Sequence, residues 1–151
     1  MTESGRRASA AASPGIQARR VALLALFEDE FRPGKADAAL ERIAEERHLP
    51  DDVRRHAADI VAGVAAKRDE LDARIAAEAP LIPVSELGRV ERAILRSAIW
   101  EVLYSAATPS GETMRDAVSL ARIYAGDAAR RLVNGVLGSV SRSSGGGART
   151  S

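Results

Sequence analysis

Apolar residues recur along this chain at intervals of three and four, and no stretch alternates apolar with polar in the manner of a strand. The densest segment is Leu87 to Tyr104, LGRVERAILRSAIWEVLY. At about 100° per residue, Leu87, Val90, Ile94, Ala98 and Val102 form one broad stripe. Leu95, Ile99 and Leu103 carry the apolar surface further round, so this helix is expected to be packed on several sides. Arg89, Arg92 and Arg96 share an arc of about 60° and mark the expected solvent side. Glu91 and Glu101 project from the apolar stripe, where a carboxylate needs a partner or an exposed gap.

The other elements are read in the same way. From Ile16, the residues Val21, Leu23, Leu24, Leu26, Phe27 and Phe31 predict a helix that Pro33-Gly34 stops. A second spans Ala36 to Arg47, opened by Asp37 and ended by His48-Leu49-Pro50. Asp51 and Asp52 open a third, where acidic side chains suit the positive helix end. It runs through Val53, Ala57, Ile60, Val61 and Val64, with Gly63 allowing a neighbour to approach closely. Asp69 to Ala79 is a fourth, closed by Pro80 and Pro83, and Leu87 to Tyr104 is the fifth. Glu112 to Tyr124 is the sixth, capped by Ala125-Gly126, and Ala128 to Val140 the seventh. Seven helices with short connections predict an all-α bundle over residues 16–141, with no repeat of fixed period. Residues 1–15 read as a disordered basic tail and 142–151 as a flexible Gly/Ser tail.

Composition narrows the function classes. The 151 residues are 46% apolar and 28% charged, which suits one globular domain, and aromatics are only 3%. The absence of cysteine excludes disulfides and thiolate metal sites. No run of about 18 apolar residues is present, and the N-terminus lacks a secretory h-region, so a cytoplasmic protein without a membrane span is expected. The net charge of +1 is unevenly placed: residues 1–20 carry +3 and residues 142–151 carry +2, which leaves −4 on 21–141. Basic ends on an acidic body suit nucleic-acid contact by the ends and protein contact by the body. Charged tails that only keep a small domain in solution would look the same.

Candidate chemistry is sparse. His48 and His56 lack the i, i+4 partner of a zinc helix, so no metal is expected. Ser85, Ser97 and Ser105 lack an evident base, the carboxylates are scattered, and no glycine-rich phosphate loop follows a strand. A binding module rather than an enzyme is expected, with no cofactor. Asn134-Gly135, inside the last helix, is its oddest pair, since Gly costs about 1 kcal/mol there relative to Ala. Close backbone packing at Gly135, with Asn134 bonding a nearby loop, would make the pair structural; direct contact with a ligand is the other reading. Arg130 and Arg131 stand at the positive start of that helix, against the dipole, as though something anionic sits nearby.

The segments ARRVALLALFEDEF (18–31), DIVAGVAAKRDELD (59–72), ELGRVERAILRSAIWEVLY (86–104), DAVSLARIYAG (116–126) and RLVNGVL (131–137) together resemble the NusB family of bacterial transcription antitermination factors. The resemblance runs from about Ala18 to Val140, in the family's order and spacing. It implies an all-α fold of two small helical subdomains packed across each other. It also implies binding of the boxA element of ribosomal RNA leader transcripts together with the ribosomal protein NusE. The pair would join the RNA polymerase elongation complex with other Nus factors, with no reaction catalysed and no cofactor. Some relatives form homodimers, which would mask the RNA surface.

Carried over residue by residue, the family's acidic NusE-facing position matches Glu91, and Glu86 lies just upstream as a second candidate. Arg19 matches the last member of the family's arginine run, and Arg20 follows it, while Gly15, Ile16 and Gln17 stand where further arginines are frequent. Arg6 and Arg7 lie upstream and could substitute from a flexible arm. At the last helix Arg131, beside Arg130, matches a basic position, but Leu132 replaces a frequent Phe and Ala128-Ala129 a frequent Asp-Ser. Arginines supply phosphate affinity and aromatics stack on unpaired bases, so weaker RNA binding by the chain alone is expected. Two alternatives stand beside this reading. One is a helical adaptor with reduced RNA binding; the other is a domain related to the NusB-like part of RNA cytosine methyltransferases.

Overall fold

The computed structural model describes residues 13–105 and 108–150. Among them lie six α-helices and one 3-10 turn, with no strand. The helices are α1 Pro14–Phe31, α2 Ala36–Glu46, α3 Asp51–Glu78, α4 Arg89–Tyr104, α5 Ser110–Ala125 and α6 Asp127–Thr150; the 3-10 turn is Val84–Glu86. Among the described residues no helix is long and apolar enough to cross a membrane.

The count differs from the seven expected because the third and fourth predicted helices are one, α3, bent at Lys67 (φ −117°, ψ 18°). Neither Pro nor Gly stands between Val64 and Asp69, so nothing terminates the helix and the chain bends instead. α1 starts earlier than expected, with Pro14 in its first turn and the Ser13 hydroxyl accepting from the Ile16 amide at 3.5 Å. α6 continues past Val140 to Thr150, where the sequence predicts a Gly/Ser tail. α2 ends on His48 in the left-handed region (φ 52°), with the Leu49 amide donating back to the Ala44 carbonyl at 3.1 Å.

α4 is the post of the bundle, in contact with α1, α3, α5 and α6. Its Ile94, Leu95 and Ile99 are fully buried beside Leu23 of α1, Ile60, Leu71 and Ile75 of α3, and Leu137 of α6. α1–α3 pack on one another as one group and α4–α6 as a second. Gly63 brings α3 against α4 as expected: a Cβ there would collide with the Trp100 indole.

The arginine arc of α4 is not its solvent side. Arg96 is buried, bound to both Asp72 carboxylate oxygens at 2.7 and 2.9 Å and facing Glu30 at 3.5 Å. Arg92 also pairs with Glu30 and donates to the Val84, Ser85 and Leu87 carbonyls at 3.2, 3.4 and 3.3 Å, which fastens the 3-10 turn to α4. Helical periodicity groups the three arginines on one face, but acids contributed by α1 and α3 make that face internal. Only Arg89 stays exposed, with its guanidinium 4.5 Å from the centre of the Phe31 ring.

Candidate nucleic-acid and protein interfaces

Arg19 lies one turn into α1 and is only 5% exposed. Its guanidinium binds Glu101 of α4 through two bonds (Nε to Oε1 2.8 Å, Nη2 to Oε2 3.2 Å). It also binds Asp116 Oδ2 at 2.6 Å and Thr113 Oγ1 at 3.2 Å on α5. His56 Nε2 of α3 stands 3.0 Å from the second Glu101 oxygen. Burial alone would push the Glu101 carboxyl up, but hydrogen bonds from His56 and Arg19 and the Arg19 charge outweigh it and hold it below the usual carboxylate range. Glu101 therefore has the partners that its place in an apolar stripe requires. The expectation that Arg19 meets phosphate is corrected: it is an internal clamp joining α1, α4 and α5, and its donors face inward. Arg20, next in sequence, is half-buried, with its Nε buried and without a partner among the described residues.

The second basic group is at the α5–α6 junction, which turns at Gly126 (φ 94°). Asp127 opens α6 and accepts from Arg130 Nε at 2.8 Å, and it also pairs with Arg131. Its carboxyl is held below its usual range by the Arg130 hydrogen bond first, then by the Arg130, Arg131 and Arg122 charges. The anion implied by two arginines at a helix start is thus supplied by the chain itself, yet three arginines surround one carboxylate and a surplus of positive charge remains. Arg19 is turned inward onto Glu101, Asp116 and Thr113, whereas Arg130 and Arg131 pair with Asp127. The structure therefore does not bring Arg19 together with Arg130 and Arg131. Arg6 and Arg7 lie outside the described residues.

Asn134 and Gly135 follow Arg131 by three and four residues, so all three share one face of α6. Both are exposed, and a Cβ at Gly135 would meet nothing within 4 Å. The structural reading of this pair is corrected. Among the described residues no neighbouring backbone approaches Gly135, because this face of α6 points away from the bundle.

Glu86, in the 3-10 turn, is exposed, and Glu91, in the first turn of α4, is half-buried. Neither has an ion-pair partner among the described residues. A Cβ at Gly88 would collide with the Glu91 carboxylate, so Gly88 is what lets that side chain fold back over the positive start of α4. At the same end of the molecule Phe31 packs edge-on against Phe27 with ring centres 5.2 Å apart, and Leu81 is 94% exposed. Glu91 and Arg89 lie about 200° apart on α4, so the acidic position and the Phe31–Arg89 stack occupy different sides of the helix. Among the described residues no set of three or more His, Asp or Glu is placed to hold a metal ion.

The sequence pattern of the NusB family matches residues 16–142. The chain belongs to the NusB family. Relatives include the transcription antitermination protein NusB of Herpetosiphon aurantiacus, 38% identical over 81% of this chain and 86% of its own length. The protein of the same name from Roseiflexus sp. is 38% identical over 81% of this chain and 87% of its own. Among solved structures, antitermination factors NusB and NusE in complex with double-stranded RNA superpose with a TM-score of 0.79 at 26% identity, covering 86% of this chain and 97% of that one. T. maritima NusB superposes with a TM-score of 0.80 at 25% identity, covering 86% of this chain and 92% of that one.

Within this NusB fold, sequence reasoning missed the acids that capture its arginines. Asp116 and Glu30 read as ordinary surface carboxylates of amphipathic helices, and only the crossing of α1 with α4 and α5 brings them to Arg19 and Arg92. Glu101 carried a legible signal, a charge inside an apolar stripe.

Proposed function

We propose that this chain is a non-enzymatic transcription antitermination factor that binds boxA RNA together with NusE. The reading is carried by the likeness, along nearly the whole of both chains, to a NusB captured with NusE and RNA. The arginines at the α5–α6 junction, Arg131 exposed and Arg130 half-buried, support an RNA surface there, with both as phosphate contacts and Arg20 and the upstream Arg6 and Arg7 as further ones. Arg19 acts from inside, by fixing α1 against α4 and α5. The unpaired carboxylates Glu86 and Glu91 form the acidic part of the NusE surface. The loaded pair joins the RNA polymerase elongation complex with other Nus factors, in the cytoplasm.

The test is fluorescence anisotropy of a boxA-containing RNA titrated with this chain, with and without its own NusE. Binding strengthened by NusE and weakened by salt is expected, with a slope of about 0.7 per single-strand phosphate contact. NusE binding without RNA binding in either titration would leave a helical protein adaptor and overturn the proposal.

A further inference from the structure

Tyr124 closes α5 with its side chain 39% exposed, and Ile123 beside it is 51% exposed. Neither belongs to the core, and among the described residues the Tyr124 ring and hydroxyl have no ring or hydrogen-bond partner. A lone exposed apolar residue would need no explanation. Here, however, an aromatic and an isoleucine stand together in the last turn of a helix, beside the junction where Arg122, Arg130 and Arg131 surround Asp127. Arg122 is itself exposed in that same turn, and Arg131, four residues into α6 beyond Gly126, is exposed as well. An open ring at the end of a helix, next to a junction with surplus positive charge, is a combination that holds an unpaired base: the face of the ring stacks on the base while guanidinium groups of the junction hold phosphates.

We propose that Tyr124 is a stacking platform for an unpaired base of the bound RNA, with the arginines at the start of α6 on the RNA phosphates. The proposal rests on the RNA-binding reading above and names the residue that distinguishes single-stranded from duplex RNA on this surface. It also supplies, from the end of α5, an aromatic that the last helix lacks with Leu132. The surplus of arginine charge favours a polyanion over an apolar protein segment as the occupant.

The experiment uses the full chain with NusE and compares the wild type with Tyr124→Ala and Tyr124→Phe. Each is titrated into a single-stranded boxA RNA and into a duplex of the same length, at several salt concentrations. Tyr124→Ala is expected to weaken single-strand binding by about five-fold or more, the lower end of one base–aromatic stack. Its salt slope and its duplex affinity should stay unchanged, since no phosphate contact is removed, and Tyr124→Phe should bind as the wild type does. Unchanged single-strand affinity for Tyr124→Ala overturns the proposal and leaves RNA binding as a whole intact. So does an equal loss on both RNAs, or a loss of NusE affinity alone, which would assign the ring to the protein partner. Absence of RNA binding by the wild type overturns this proposal and the antitermination reading together.

Discussion

His48 is exposed and sits in the left-handed region, where a Cβ is unfavourable and only the end of α2 holds it. His48→Gly should therefore stabilise the chain by about 0.5–1 kcal/mol, read as a higher urea midpoint with an unchanged slope. Glu101 is the opposite case, a buried residue whose loss leaves the Arg19 charge poorly compensated. Glu101→Gln should destabilise by about 3 kcal/mol in the same assay. The pH dependence follows from the sign of its shift. The Glu101 carboxyl is depressed in the folded chain, and so is that of Glu30, where the Arg92, Arg96 and Arg68 charges outweigh burial. Both stabilise the fold above the unfolded value of 4.5 and lose that contribution as pH falls through their folded values. Thermal unfolding followed between pH 6 and acid should show a steep decline below about 4.5, and Glu101→Gln should flatten it. At this scale the sequence showed that Glu101 needed a partner; it did not show that the partner would be Arg19, because the pair is 82 positions apart.

At the scale of elements, α1 and α4 are joined by two ion pairs of opposite polarity. At one end Arg19 of α1 meets Glu101 of α4, and at the other Glu30 of α1 meets Arg92 of α4. A parallel arrangement would set Arg19 beside Arg92 and Glu30 beside Glu101, so the charges favour the antiparallel one alongside apolar packing. The α3–α4 contact depends on size instead. Gly63→Ala should push the Trp100 indole aside, destabilise by about 1–3 kcal/mol and shift the emission of this single tryptophan. A substitution with neither effect would show that α3 can move away from α4 at no cost. Helix spacing alone revealed that Gly63 faces a neighbour, though not that the neighbour is Trp100.

Across the whole molecule, polar groups fall into two kinds: those closed into internal clamps and those left open at the ends. Arg19, Arg92 and Arg96 are of the first kind, and Glu86, Glu91, Arg122 and Arg131 lie on open surface or at its margin. Glu91→Lys should consequently leave the chain folded, with its circular-dichroism melt lowered only by the effect of a reversed charge at the start of α4, about 0.3–1 kcal/mol, while weakening NusE binding by about ten-fold. An unchanged dissociation constant would remove Glu91 from that surface. Charges of the two kinds are identical in sequence, which is why the RNA candidates divide: Arg131 lies open and Arg130 half-open at the α5–α6 junction, while Arg19 is enclosed.

The chain's own periodicity determined the helices, the central place of Leu87–Tyr104 and the close approach at Gly63, because these depend on spacing and side-chain size within one segment. Family motifs such as VERAILR and VNGVL were equally local, so the fold could be recognised from them. Tertiary structure alone decided whether each charge is internal or available. It turned the arginine arc of α4 inward, joined two predicted helices through a bend at Lys67, exposed Asn134 and Gly135, and left Tyr124 uncovered at the end of α5. The physical reason is that a charged residue's role depends on the group across from it, and that group comes from another helix tens of positions away.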